Sequence, residues 1–396
     1  MKKKNIYIFL NNKLVTLDTI LPLVMLLKKT NKNINIIFYV FNKSTYNEII
    51  KNIFLYKLIK SLGEMKIFGS FFNKSLKIVR ALNIFLNILV LVIKIIKDKS
   101  IFIHFKALEF FPFNILFLLN SKKCFYMESN TWGYSVNLEK SYNIEYNRPL
   151  TYKKEISINN YNYLISFSSE SPLVRRAKNQ NKSIFFLNPT RSDLLWLKTC
   201  KNEATSFLSK SLKFKKLENK KNLILYLVGT FDRVSGLSKQ SNGETLFRDT
   251  IKQLKKLKNV HIIFKPHPAA NINLIKASLN NLNFKNYDIS YMHTSVLSCF
   301  CKFTISNYFS FALADAWFAG SYTLEYTDYD KKMLRLTKDK SIYPEFVDYF
   351  IDKKNDLKLI DTLSNNKLKR SIRNFRYSFK EDSNNQLICK INDLLN

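Results

Sequence analysis

Apolar residues in this chain cluster in blocks rather than alternating singly. The runs NIYIFL (5–10) and INIIFYVF (34–41) are almost uninterrupted, as strands buried on both faces of a parallel sheet require. Between them Leu21, Leu23, Val24, Leu26 and Leu27 recur at helical spacing. Thr16, Asp18 and Thr19 offer caps, and Pro22 is tolerable in a first turn. The same reading predicts helices at 45–61 and 73–97 and strands near 100–105, 123–127, 162–167 and 183–187. Strand–helix repetition of this kind predicts a doubly wound α/β domain over residues 1–200.

Residues 201–221 turn polar and lysine-rich, the composition of a linker. A second series then restarts, with strands at 222–228, 260–264, 287–291, 302–305 and 321–325. Helices are expected at 244–257, 294–300 and 309–319, and a long polar loop at 229–243. This predicts a second Rossmann-like domain at 222–355. A helical segment at 356–396 is expected to pack back on the first domain. The expected architecture is α/β, with two Rossmann-like domains facing across a cleft and ligands at the carboxyl ends of strands.

Composition narrows the chemistry. The 396 residues, 46% hydrophobic with 33 Phe, supply core material for two domains. The glycines at 63, 69, 133, 229, 236, 243 and 320 form neither GxGxxG nor a P-loop, which excludes a classical dinucleotide fold and a P-loop NTPase. There is no HExxH and no CxxC among five cysteines, so a zinc site of cysteine type is not expected, and the scattered thiols read as a reducing compartment.

The net charge of +34 has two readings: lysine–asparagine coding bias, or an anionic partner such as phospholipid or a nucleotide-activated substrate. No basic recognition helix, RNP-type aromatic signature or zinc knuckle is present, so nucleic acid is not an expected partner. The start MKKKNIYIFLNNK lacks the cleavage site of a signal peptide. The stretch 78–96 is interrupted by Arg80, Asn83, Asn87 and Lys94, and Ile88–Ile93 is too short for a span of about 20 apolar residues. It reads either as a helix buried on the sheet or as one lying on a membrane. The expected location is cytoplasmic, with peripheral attachment to the inner face of the membrane as the companion expectation.

Four clusters sit at predicted strand exits. In Lys265-Pro266-His267-Pro268 two prolines stiffen the exit of strand 260–264 and present a cation and an imidazole, a good way to hold phosphate; a plain turn is the alternative. Ser306, Asn307 and Ser310 open the helix after strand 302–305, where free amides and the helix dipole suit an anion; ordinary N-capping accounts for the same residues. Thr230, Asp232 and Arg233 follow strand 222–228 between Gly229 and Gly236, with Asp232 a nucleophile, a base, or the centre of an Asx turn. Glu128 and Trp132 follow strand 123–127, where a carboxylate and an aromatic face suit a sugar, as an ordinary loop also would. Arg191, after strand 183–187, could pair with a substrate carboxylate or be a solvated helix-start arginine.

KPHP followed about forty residues later by a serine-bearing helix start resembles the CMP-sugar-dependent GT-B glycosyltransferases of bacterial surface polysaccharides. Within that group LVGTFDR and the opening IYIFLNNKLVTLDTILPLV are most similar to the retaining β-Kdo transferase domain of O-antigen chain-terminating enzymes of the WbbB kind. The resemblance implies transfer of Kdo from CMP-β-Kdo to a lipid-linked or oligosaccharide acceptor of an O-antigen or capsule, with no metal and no cofactor needed. Lys265, His267, Ser306, Asn307 and Ser310 would then meet the CMP phosphate, Asp232 would form a covalent adduct, and Glu128 would act as base. Other readings stay open: an inverting CMP-sialic acid transferase of the same fold, a CDP-glycerol-type glycerophosphotransferase, or a non-catalytic basic scaffold of a polysaccharide export complex.

Overall fold

The computed structural model describes residues 4–11, 14–68, 77–129, 159–210, 223–231, 243–365 and 383–396. The chain divides into two compact units, residues 1–196 with 376–396, and residues 197–375. The first unit is built on β1 (Lys4–Phe9), β2 (Ile34–Val40), β3 (Glu64–Ile67), β4 (Lys99–His104), β5 (Cys124–Met127), β6 (Tyr163–Ser166) and β7 (Ser183–Phe186). They pair in parallel in the order β3-β2-β1-β4-β5-β6-β7. One face of this sheet is aromatic: Tyr7, Phe9, Tyr39, Phe68 and Phe102 pack ring against ring with Leu91 and Leu116.

The second unit repeats the plan with β8 (Leu223–Val228), β9 (His261–Pro266), β10 (Tyr287–Ile289), β11 (Phe303–Ser306), β12 (Tyr322–Thr327) and β13 (Tyr349–Asp352). These are also parallel, in the order β10-β9-β8-β11-β12-β13. In each sheet the order reverses beside the first strand, between β1 and β4 and between β8 and β11. Such a reversal opens a crevice at the carboxyl ends, because the two crossovers leave in opposite directions.

Several local expectations change. The helix that follows β1 runs Leu14–Thr30, so Thr16, Asp18 and Thr19 lie inside it and Pro22 sits in its buried interior rather than its first turn. The expected helix 45–61 is two, Lys43–Lys51 and Ile53–Leu62, because the Asn52 side chain accepts from Leu55 N–H and restarts the helix. Residues 201–210 continue the helix Leu194–Lys210 instead of opening a linker. The helix Asp356–Ser364 packs within the second unit, while the last helix, Ser383–Leu395, packs against β4 and β7 of the first. The edge strands β3 and β13 are both additional to the strands expected.

Candidate functional site

At the carboxyl ends of β9, β8 and β11, astride the reversal of strand order, lies a pocket of about 330 Å³. That volume is at the small end of ligand sites, which run from about 300 to 1,000 Å³. Lys265, His267, Thr230, Ser306, Asn307 and Ser310 all line it, so three separate sequence clusters converge on one place.

The KPHP exit is held by its backbone. His267 N–H donates to Val228 O at 2.7 Å, and Ala270 N–H to His267 O at 2.8 Å. Ala269 N–H donates to His267 Nδ1 at 3.1 Å, which places the ring proton on Nε2 and makes that nitrogen a donor at an exposed position. The atoms packed about the ring, and then the Lys265 ammonium, hold its pKa below the ordinary histidine value, so the ring is neutral at pH 7.

The β11 exit divides its labour. Ser306 Oγ donates to Tyr308 O at 2.6 Å and closes the turn. Asn307 turns its carboxamide inward. Its Nδ2 donates to Thr250 Oγ1 at 2.8 Å and to Tyr326 O at 3.1 Å, and its Oδ1 accepts from the Tyr226 hydroxyl. Asn307 is therefore a tie across the sheet, and its side chain is committed to the core rather than to the pocket. Ser310 caps the helix Phe311–Phe318, accepting from Ala312 N–H at 3.3 Å, and so brings a helix N-terminus to the pocket wall.

One wall residue, Thr294, and one buried residue behind the wall, Glu325, lie outside the four sequence clusters. Thr294 lines the pocket from the first turn after β10, and the only available signal is its place at a strand exit. Glu325, wholly buried on β12, accepts from the hydroxyls of Tyr329 and Ser341 and from Phe309 N–H, which anchors the turn before Ser310. Desolvation nevertheless raises its carboxyl to about 7. An acidic residue inside the buried run YTLEYT is the signal for it.

Asp232, Arg233, Gly236 and Trp132 lie outside the described residues. Gly229 needs no special conformation: it lacks a positive φ, and an added Cβ would meet nothing within 4 Å. In the first unit, Glu128 follows β5 and accepts from the hydroxyls of Ser166 and Ser171; burial raises its pKa despite these bonds. Arg191 is 4% exposed, in the turn that Thr190 ties to the first helix through Thr19 O, so it is buried rather than solvated. The structure thus gathers Lys265, His267, Thr230 and the β11 exit in one pocket of the second unit, and places Glu128 and Arg191 in the first.

No protein-family profile and no curated protein sequence matches this chain. Solved structures do match in shape. The S. aureus MnaA–UDP co-structure aligns with a TM-score of 0.58 at 13% identity, covering 100% of this chain and 98% of that one. The UDP-GlcNAc 2-epimerase from Neisseria meningitidis, bound to UDP-GlcNAc, aligns at 0.55 and 13% identity over 98% and 99%. A UDP-glucose:anthocyanidin 3-O-glucosyltransferase in complex with UDP aligns at 0.50 and 11% identity over 99% and 95%. At such identities the likeness is one of fold, and by fold the chain is a GT-B-like protein of two parallel α/β sheets.

Proposed function

We propose that the chain is a retaining glycosyltransferase that moves Kdo from CMP-β-Kdo to a saccharide acceptor of a bacterial surface polysaccharide. The observation that carries this reading is the pocket itself. Lys265, the Nε2–H of His267 and the helix start at Ser310 converge at the carboxyl end of β8. A cation, a ring donor and a helix N-terminus are what a phosphate needs. Charge compensation at that phosphate makes CMP a good leaving group.

In this reading the Asp232 carboxylate forms a bond to the anomeric carbon while the bond from that carbon to the phosphate oxygen breaks, and CMP keeps the electron pair. The acceptor hydroxyl then displaces Asp232 from the opposite side, which restores the carboxylate and retains configuration. The acceptor proton passes to a base, for which we assign Glu128; its raised pKa suits that task. A second reading has one observation in its favour: the aligned structures are described with UDP or UDP-GlcNAc. It assigns the same pocket to a uridine diphosphate sugar.

Brief exposure of the full chain to CMP-Kdo, followed by peptide mass spectrometry, separates the two. The proposal predicts an added Kdo mass on the peptide containing Asp232, release of CMP, and loss of both in Asp232→Asn. Turnover of UDP-GlcNAc with inert CMP-Kdo would overturn it in favour of the second reading.

A further inference from the structure

The helix Lys77–Lys97 packs on the first sheet through Ile88 and Leu91, which are 3% and 1% exposed. A surface helix ordinarily turns polar residues to water on its other side. Here Val79, Leu82, Leu86, Leu89, Val90 and Ile93 lie on that side, each between 43% and 56% exposed. The helix Asn114–Asn120 packs alongside and extends the patch with Leu118, 72% exposed. Phe110 and Phe111, 58% and 80% exposed, stand just before it. An apolar surface of this extent marks a docking face, since leaving it in water forfeits the burial free energy of every side chain in it.

Charge decides the occupant. The helix Lys77–Lys97 holds four Lys or Arg and no acidic residue, and its Lys94 and Lys97 are exposed. A second copy of this face would set like charges against one another as they were desolvated. Anionic headgroups meet those lysines instead, while the apolar side chains enter the acyl boundary. We infer that this face of the first unit is a docking surface for an anionic phospholipid bilayer. The helix lies in the plane of the membrane: no described helix is long and apolar enough to cross one. The inference stands independently of the pocket in the second unit.

Co-sedimentation of the full chain with mixed phosphatidylcholine–phosphatidylglycerol vesicles tests it. The expected result is binding that is at least tenfold weaker to phosphatidylcholine alone and weaker in high salt. The double variant Leu86→Ser, Val90→Ser should bind the mixed vesicles at least tenfold more weakly, with circular dichroism and thermal midpoint unchanged because both sites are exposed. Failure of the native chain to bind the mixed vesicles would overturn the inference, as would undiminished binding by the folded double variant. So would a stable dimer in sedimentation equilibrium that the double variant dissociates.

Discussion

The backbone N–H of His267 donates to the carbonyl of Val228 at 2.7 Å, so the KPHP exit and the end of β8 form one rigid edge of the pocket. The imidazole stands on that edge, exposed and neutral at pH 7, with its Nε2–H available. His267→Ala should weaken CMP binding between ten- and a hundredfold in calorimetry, the loss expected for a hydrogen bond to a charged group worth about 1.5–3 kcal/mol. The thermal midpoint should barely move, since the backbone bonds that hold the edge remain.

Asn307 predicts the opposite pattern. Its carboxamide joins Tyr226, Thr250 and the Tyr326 carbonyl inside the second sheet. Asn307→Ala leaves buried partners unsatisfied and should cost about 2–3 kcal/mol in denaturant unfolding. CMP affinity of the folded fraction should change less than threefold.

At Ser310, capping and ligand contact separate by choice of replacement. Ser310→Ala should lower stability by about 1 kcal/mol through loss of the cap, whereas Ser310→Gly should lower it by only a few tenths. If the hydroxyl also meets the phosphate, both variants lose CMP affinity to the same degree despite their different stabilities. Equal CMP affinity in Ser310→Gly and the native chain would confine Ser310 to capping.

Two buried groups give opposing pH slopes. His104 donates from Nε2 to Asn160 O at 2.7 Å, and full burial lowers its pKa to about 4. Its contribution is complete above the ordinary histidine pKa of 6.5 and is lost as pH falls toward 4, because the unfolded chain protonates first. Glu325, raised to about 7, contributes fully below 4.5 and loses that contribution as pH rises to about 7. At about 1.36 kcal/mol per pH unit each slope amounts to roughly 3 kcal/mol across its window. Relative to the native chain, Glu325→Gln should therefore gain stability in urea as pH rises from 4.5 to about 7, and His104→Gln should lose it as pH rises from about 4 to 6.5.

Much of this architecture is legible in the residue pattern. Runs such as NIYIFL and NLILYLV announce parallel strands covered on both faces, and the clusters that follow β8, β9 and β11 fall on the pocket, whereas Glu128 and Arg191 belong to the first unit. What is not legible depends on neighbours. EMKI and YFID, the strands β3 and β13, are short and half exposed at sheet edges, so no apolar run marks them. Asn307 follows β11 like a ligand contact, and the positions of Tyr226, Thr250 and the Tyr326 carbonyl turn its amide inward. The stretch 78–96 shows its apolar character plainly, but which side the sheet covers is decided by packing through Ile88 and Leu91.

In the proposed reading the pocket at the ends of β8, β9 and β11 binds the phosphate of a cytidine nucleotide. Calorimetric titration of the full chain with CMP, and with UDP for comparison, tests it most directly. The expected result is saturable CMP binding, tighter than UDP binding and weakened at least tenfold by Lys265→Ala. Binding of UDP in preference to CMP, or CMP binding indifferent to Lys265→Ala, would contradict it.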